Sequence, residues 1–372
     1  MPTVTLIKME KLVFIFMLFS LNCFGQFSDI SGNVKDKDTG EPILFAHIFI
    51  ANTAVGSTSD TEGKFMLREV PAGEFTIVCT MVGYDPFTGL INVTPGNLFQ
   101  VDIELEQSET ILDEVSVSEK EDKKWKKQYS LFERELLGDV PTADRCEILN
   151  PWVVNFEENS FSDTFLATAD EPLEINNKYL GYKIYFLLTN FKIVHGQLTY
   201  LGYPSFQALE LNEMDRIENF LRNREEIYKG STRHFFDALI HNRIKQEGFR
   251  LYKVFSLGND PWPDNVSEAV SRGLLQSVDP SDIMKKGSGD TYTVHSDDVL
   301  EIIYTGKKWG RSPYRDSPFQ VSRISFNEPL TVAAHGYVFN SASFVVYGYL
   351  AEERIASMLP YEYGKEIQLM DR

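Results

Sequence analysis

The stretch that decides the fold reads Gly32-x-Val34-x-Asp36-x-x-x-Gly40-x-Pro42-Ile43, then Ala46-x-Ile48-x-Ile50-x-x-Thr53-x-x-Gly56, Ser59-Asp60-x-x-Gly63-x-Phe65-x-Leu67, Val70-Pro71-x-Gly73-x-Phe75-x-Ile77 and Gly83-Tyr84. Apolar residues recur at every second position between turns rich in Gly, Pro and Asp. That period belongs to short antiparallel strands. The turns fall at 36–42, 60–63 and 70–73, where Asp side chains can bond their own backbone and Pro fixes φ. Ala46, Ile48 and Ile50 share one interior face, Phe65 and Ile77 belong to the core, and 98–105 is a last strand with Val101, Ile103 and Leu105 inward.

This pattern resembles the carboxypeptidase-like regulatory domain, a small transthyretin-like β-sandwich of Gram-negative envelope proteins. The resemblance implies a module, residues 26–108, that binds or positions other molecules and carries no catalytic residues of its own. It is followed by a linker, 109–127. The linker's Ile111-Leu112-Asp113-Glu114-Val115-Ser116-Val117 is similar to the segment after the same domain in TonB-dependent receptors. About 250 residues remain, without the series of alternating strands that an outer-membrane barrel needs, so the likeness to those receptors stops there. Residues 112–117 read either as a linker strand that closes the sandwich or bridges the domains, or as an exposed edge for a partner strand.

The chain has 372 residues, enough for two domains, and 43% hydrophobic with 13% aromatic residues marks it as globular. Its 54 acidic residues outnumber 36 basic ones, for a net charge of −18. That excludes a nucleic-acid partner, which needs clustered Lys and Arg. The N-terminus reads as a signal peptide, 1–25. Lys8 and Lys11 precede the apolar run 12–21, too short to span a bilayer, and Phe24-Gly25-Gln26 offers a cleavage point. A start at Met9 gives a more compact signal. Cys23 lacks a lipobox, because Ser20 and Asn22 stand where Leu and a small residue belong. The mature chain then has no transmembrane span and keeps Cys79 and Cys146. Cys79 lies on an apolar strand face as a small hydrophobe. A disulfide between the two is open in an oxidising compartment, but nothing in their spacing indicates it.

Residues 128–372 read as an α+β domain with a helical pair. Strands are expected near 173–175, 182–186, 191–193 and 198–201. A helix at 212–228 carries Met214, Ile217, Phe220 and Leu221 on one stripe. A second, capped by Ser231, carries Phe235, Phe236, Leu239, Ile240 and Ile244. Strands resume at 249–255, 299–304, 323–326 and 331–349, with 258–282 mostly loop and one short helix. Phe132-x-x-x-Leu136-Leu137-Gly138, Cys146-x-Ile148-x-Asn150-Pro151 and Pro172-Leu173-x-Ile175-x-Asn177-x-x-Leu180-Gly181-Tyr182 resemble segments of envelope proteins that carry the same N-terminal domain. No activity comes with that likeness. The expected fold is therefore multidomain, an all-β transthyretin-like sandwich followed by the α+β domain.

No catalytic or cofactor-binding residue emerges from the motifs. A zinc carboxypeptidase needs His-x-x-Glu, and none of the 6 histidines has Glu at that offset. His234 and His295 have Asp there, Asp237 and Asp298. His234, Asp237 and His241 fall within an arc of about 60° on a helix turning 100° per residue, which makes them the one candidate metal set. The same arc lies opposite the apolar stripe and reads first as a solvated face. Asp36-x-Asp38-x-Gly40-Glu41 is similar to the start of a calcium loop, but His47 stands where the twelfth-position carboxylate belongs, so an Asp-stabilised turn is expected. Tyr200, Tyr203, Phe206, Tyr337, Phe339, Phe344, Tyr347 and Tyr349 offer faces for sugar rings, or pair across strands as core.

These readings converge on an exported, non-enzymatic envelope protein that acts in binding or assembly at the periplasm or outer membrane, beside an envelope protein or receptor complex. The rivals are a glycan-binding protein linked to nutrient uptake, and a hydrolase in the second domain using His234 or His295.

Overall fold

In the computed structural model the described residues are 27–108, 123–138, 140, 142–159, 161–209, 214–255, 263–315 and 318–364. The expected signal peptide, Cys23 and the segment 111–117 lie outside them. Contacts divide the chain into a first unit, Met1–Ala51 with Val55–Ile111, and a second, Asn52–Ala54 with Leu112–Arg372.

The first unit is two sheets. Strands β1 (Phe27–Asp36), β4 (Lys64–Pro71), β7 (Leu98–Gln100) and β8 (Ile103–Leu105) form one, with β1 flanked by β4 on one side and by β7 and β8 on the other. Strands β2 (His47–Ile50), β3 (Gly56–Thr58), β5 (Gly73–Thr80) and β6 (Phe87–Val93) form the second, in the order β3-β2-β5-β6. The alternation seen in the sequence becomes burial: Ile30, Val34, Phe65, Leu67, Ile48, Ile50, Ile77 and Cys79 are all buried. Burial pushes the Cys79 thiol up to about 12.

The strand expected over 98–105 is broken in two. Val101 N–H donates to the Ser31 carbonyl, and the Val101 carbonyl passes so close to Gly32 that a Cβ there would lie 1.8 Å from it. Only glycine allows that approach. Ile103 and Leu105 are buried as expected, while Val101 is only half-buried.

Among the described residues after 108 the first element is helix α1 (Lys123–Leu137), so residues 123–127, read as the end of a linker, are helical. A six-stranded sheet follows, in the order β10 (Val154–Asn159), β11 (Thr164–Ala169), β13 (Tyr182–Val194), β12 (Leu173–Asn177) and β9 (Cys146–Ile148). Strand β14 (Gln197–Ala208) pairs along β13. Phe132 and Leu136 of α1 join Ile175, Ile184 and Phe191 in its core. Helices α2 (Met214–Tyr228) and α3 (Thr232–Ile240) come next, with the Ser231 hydroxyl capping α3 by accepting from His234 N–H.

A five-stranded sheet then runs in the order β16 (Leu275–Ser277), β15 (Phe249–Val254), β19 (Leu300–Lys308), β20 (Phe319–Phe326) and β22 (Phe344–Gly348). A small sheet joins β17 (Met284–Lys286), β18 (Thr291–Val294) and β21 (Leu330–Ala333). In the chain the short helix α4 (Val266–Ser271) falls between β15 and β16, and α5 (Pro280–Ile283) between β16 and β17. Phe235, Phe236 and Leu239 of α3 pack with Phe249, Ile302 and Ile324 in a second core. Residues 331–349, expected as strand, are interrupted at Gly336, whose φ of +81° reverses the chain. A Cβ there would lie 2.1 Å from the Arg233 carbonyl, so the reversal lets this loop sit directly on α3. Among the described residues no helix is long and apolar enough to cross a membrane.

Candidate functional site

Asp36 ends β1 with its side chain buried. Its Oδ1 accepts from the backbone N–H groups of Asp38 (2.9 Å) and Thr39 (2.8 Å), closing the expected Asp turn. Its Oδ2 accepts from the Tyr84 hydroxyl (3.0 Å) and Gln107 Nε2 (2.8 Å). The Thr39 amide and then Gln107 hold this carboxyl far below the usual carboxylate range. These donors take up the carboxylate's lone pairs, so Asp36 ties three parts of the sandwich together. This also explains the Gly83-Tyr84 pair of the motif. The same sandwich carries an open groove of about 470 Å³, whose polar lining includes Ser31, Asn33, Thr58, Asp60, Lys64 and Gln100.

The expected solvated face of α3 is a correction. His234 is 4% exposed, its ring packed against Tyr228, Phe249 and Tyr304. Nδ1 accepts from Gly230 N–H at 2.9 Å, so the ring proton sits on Nε2, which faces Glu247 Oε2 at 3.3 Å. Burial lowers the His234 pKa, only partly countered by Glu247. Asp237 turns elsewhere, to Arg243 at 2.7 Å and His241 at 3.2 Å, and His241 is largely exposed. The candidate metal set is therefore not brought to one point. Among the described residues no group of three His, Cys, Asp or Glu side chains is placed to hold a metal ion. Helix α3 is buried on more sides than its apolar stripe suggests, with His234 itself among its buried residues. Aromatic rings from β15 and β19 cover the face that holds His234.

The second histidine–aspartate echo is also unjoined. His295 Nε2 lies 3.2 Å from Asp297, while Asp298 pairs with Lys253 at 3.0 Å. Sequence reasoning missed Arg233, a cation with several hydrogen bonds to backbone carbonyls. Its guanidinium donates to the backbone carbonyls of Pro360 (2.7 Å), Tyr361 (2.7 Å) and Tyr363 (2.5 Å), and its Nε to His335 O at 3.4 Å. Tyr337 and Tyr363 offer it their ring faces. An arginine on a predicted helix gives no signal of such a clamp. A second missed cluster is Glu301 on β19, fully buried, which accepts from Tyr314 and from Arg323 Nε at 3.0 Å.

Glu353 accepts from Thr232 N–H, the first amide of α3, at 3.0 Å. Burial raises its pKa to about 7 despite that bond. Most of the aromatic residues that could offer faces to sugar rings are packed on other rings: Tyr337 on Phe339 at 5.3 Å, Phe344 on Phe236 at 6.1 Å, Phe206 on Tyr182 at 5.7 Å. Tyr347, on β22, is 55% exposed. The Cys79 and Cys146 thiols are both free.

Among curated proteins, the TonB-dependent receptor SusC of Bacteroides thetaiotaomicron is 32% identical over 101 residues, 27% of this chain and 9% of that receptor. The match thus spans less than a tenth of the relative's length. Solved structures with local likeness include a 3-chlorocatechol 1,2-dioxygenase from Rhodococcus opacus (12% identity, TM-score 0.20, 23% of this chain and 61% of that one). Another is the group B streptococcus pilus 2b backbone protein (11%, TM-score 0.19, 22% and 41%). A third is a Bacteroides uniformis protein suggested to bind carbohydrate (10%, TM-score 0.19, 50% and 100%). At these scores they carry no argument. The matching family model is that of the CarboxypepD_reg-like domain, over residues 30–117, the region that also matches the receptor, and this part of the chain is such a domain.

Proposed function

We propose that this chain is an exported, non-enzymatic cell-envelope protein acting in binding or assembly, with its CarboxypepD_reg-like domain as the binding module beside an outer-membrane receptor. The observation that carries the reading is the 30–117 match, shared with a TonB-dependent receptor. The second unit is an α+β scaffold whose helical pair, α2 and α3, lies between its two larger sheets in the chain. Its most histidine-like catalytic feature supports the non-enzymatic reading: both ring nitrogens of His234 face groups of the protein itself. A general base needs one nitrogen within reach of a substrate proton.

The test is co-purification from detergent-solubilised envelopes. Tagged intact protein should retain a TonB-dependent receptor, and a variant lacking 27–108 should not. Equal recovery of that receptor by both, or peptide or glycoside hydrolysis by the purified chain, overturns the proposal. A glycan array addresses the rival sugar-binding reading; ligand capture there with no receptor recovered would favour it. Export is tested separately, by a mature terminus at or near Gln26 in mass spectrometry of the envelope fraction.

A further inference from the structure

Strand β6 reads Phe87-Thr88-Gly89-Leu90-Ile91-Asn92-Val93, without a charge or a proline. It closes one end of its sheet, pairing along 87–93 with β5 alone among the described residues, while Gly83, Tyr84 and Asp85 just before it pair with residues 106–108. Thr88 and Asn92 are exposed, and Leu90 is 90% exposed. Bare edges of this kind template strand pairing, and proteins normally blunt them with charge, proline or brevity. The other edges of this unit are blunted in that way. β4 carries Lys64, Arg68, Glu69 and Pro71, and β3 and β7 are 3 residues each.

The backbone direction of β6 follows from its neighbours. Ala51 N–H donates to the Thr76 carbonyl, so Thr76 turns its backbone groups toward β2. Thr76 stands opposite Leu90. That pair is then not hydrogen-bonded, and the N–H and C=O of Leu90 point out from the sheet, with those of Thr88 and Asn92.

We propose that β6 is a homodimerisation edge, pairing antiparallel with β6 of a second copy about a two-fold axis at Leu90. In that register Leu90 faces Leu90, and Thr88 faces Asn92 in both directions. These are the residues whose backbone groups point outward, so each of these pairs can exchange hydrogen bonds. On the opposite face Ile91 covers the bare Gly89, and Phe87 meets Val93. A second copy is the occupant that this self-complementary register fits. Charge sets a limit on this dimer: two copies of a chain with net charge −18 repel, and the uncharged β6 seam only keeps like charges from facing each other at the contact itself. One strand pair buries less than the roughly 1,200 Å² of a stable interface, so the dimer should be weak, dissociating at about micromolar or higher concentration.

Sedimentation of the full chain from about 1 to 200 μM should show a reversible monomer–dimer equilibrium. Leu90→Lys, a change at an exposed position, should keep the circular dichroism and weaken association by about tenfold or more. Leu90→Cys should give a covalent dimer on mild oxidation much faster than Val82→Cys, at a position 61% exposed. Hydrogen-bonded cross-strand Cα atoms lie about 5.5 Å apart, within disulfide reach. A wild type that stays monomeric, association unchanged in Leu90→Lys, or equal cross-linking at 82 and 90 each overturns the proposal.

Discussion

Asp36 and His234 are buried polar side chains, one in each unit, and they solve the same problem in opposite ways. Asp36 stays charged because four donors converge on it. His234 stays neutral because rings surround it, one nitrogen already accepts an amide, and Glu247 only partly favours the cation. Stabilising a charge takes donors, and suppressing one takes desolvation. The first leaves local traces in sequence, since two of the four donors lie two and three residues on. The second leaves fewer, since two of its three covering rings, Phe249 and Tyr304, come from β15 and β19.

The contrast assumes that each unit has its own apolar core. Phe65→Ala should cost about 3–5 kcal/mol and Ile77→Ala about 2–5 kcal/mol, acting on the first unit's transition in urea. The second unit's transition should not move. A shift no larger than that of a surface control breaks the assigned strand register. A common shift of both transitions breaks the separation of cores.

His234→Ala comes next, at about 3 kcal/mol, because it opens a void among Tyr228, Phe249 and Tyr304 and strands the Gly230 amide. His241→Ala should stay within about 0.5 kcal/mol. Equal effects would mean that α3 presents a solvated histidine face after all. The folded pKa of His234 is below the unfolded value of 6.5, so its contribution is present above that pH and lost as pH falls through the folded value. His234→Ala should therefore also flatten the acid side of the stability profile.

How much was legible follows from where the partners lie. The sandwich's strands, turns and core were readable because strand alternation and turn chemistry act within a few residues. Its broken last strand was not, since it depends on Gly32 meeting Val101 from the far end of the domain. In the second unit the helical stripes placed α2 and α3. Helix α1 was missed although Trp125, Tyr129, Phe132 and Leu136 follow a helical period, because the lysine-rich run around them read as linker. The environment of His234 and the Arg233 clamp depend on residues far along the chain. No periodicity encodes those.

Glu353 sharpens the comparison, being a carboxylate placed in surroundings more like those of His234. With two donors, both from Thr232, instead of four, its pKa rises from 4.5 to about 7. A raised pKa contributes stability below the unfolded value that is lost as pH rises through the folded one. Glu353→Gln keeps an oxygen for Thr232 N–H and removes the charge. It should raise the unfolding temperature at pH 8 and change little near pH 4.5. A loss at pH 8 would show that the carboxylate, with Lys307 nearby, is the favoured form.

Tyr84→Phe carries the smallest expected effect and bears most directly on Asp36. It removes one neutral donor and leaves three, so the loss at pH 7 should be about 0.5–1.5 kcal/mol. Asp36's depressed pKa contributes stability that is present above the unfolded value of 3.8 and lost as pH falls through the folded value. With one donor gone that folded value rises, and acid unfolding should begin at a higher pH than in the wild type. Gln107→Glu would place a second carboxylate on the same oxygen and shift the acid limb further the same way. If the acid limb of Tyr84→Phe superimposes on that of the wild type, the tyrosine is packing rather than donating. Asp36 would then be held by its own turn and Gln107, and the Gly83-Tyr84 pair would need another explanation.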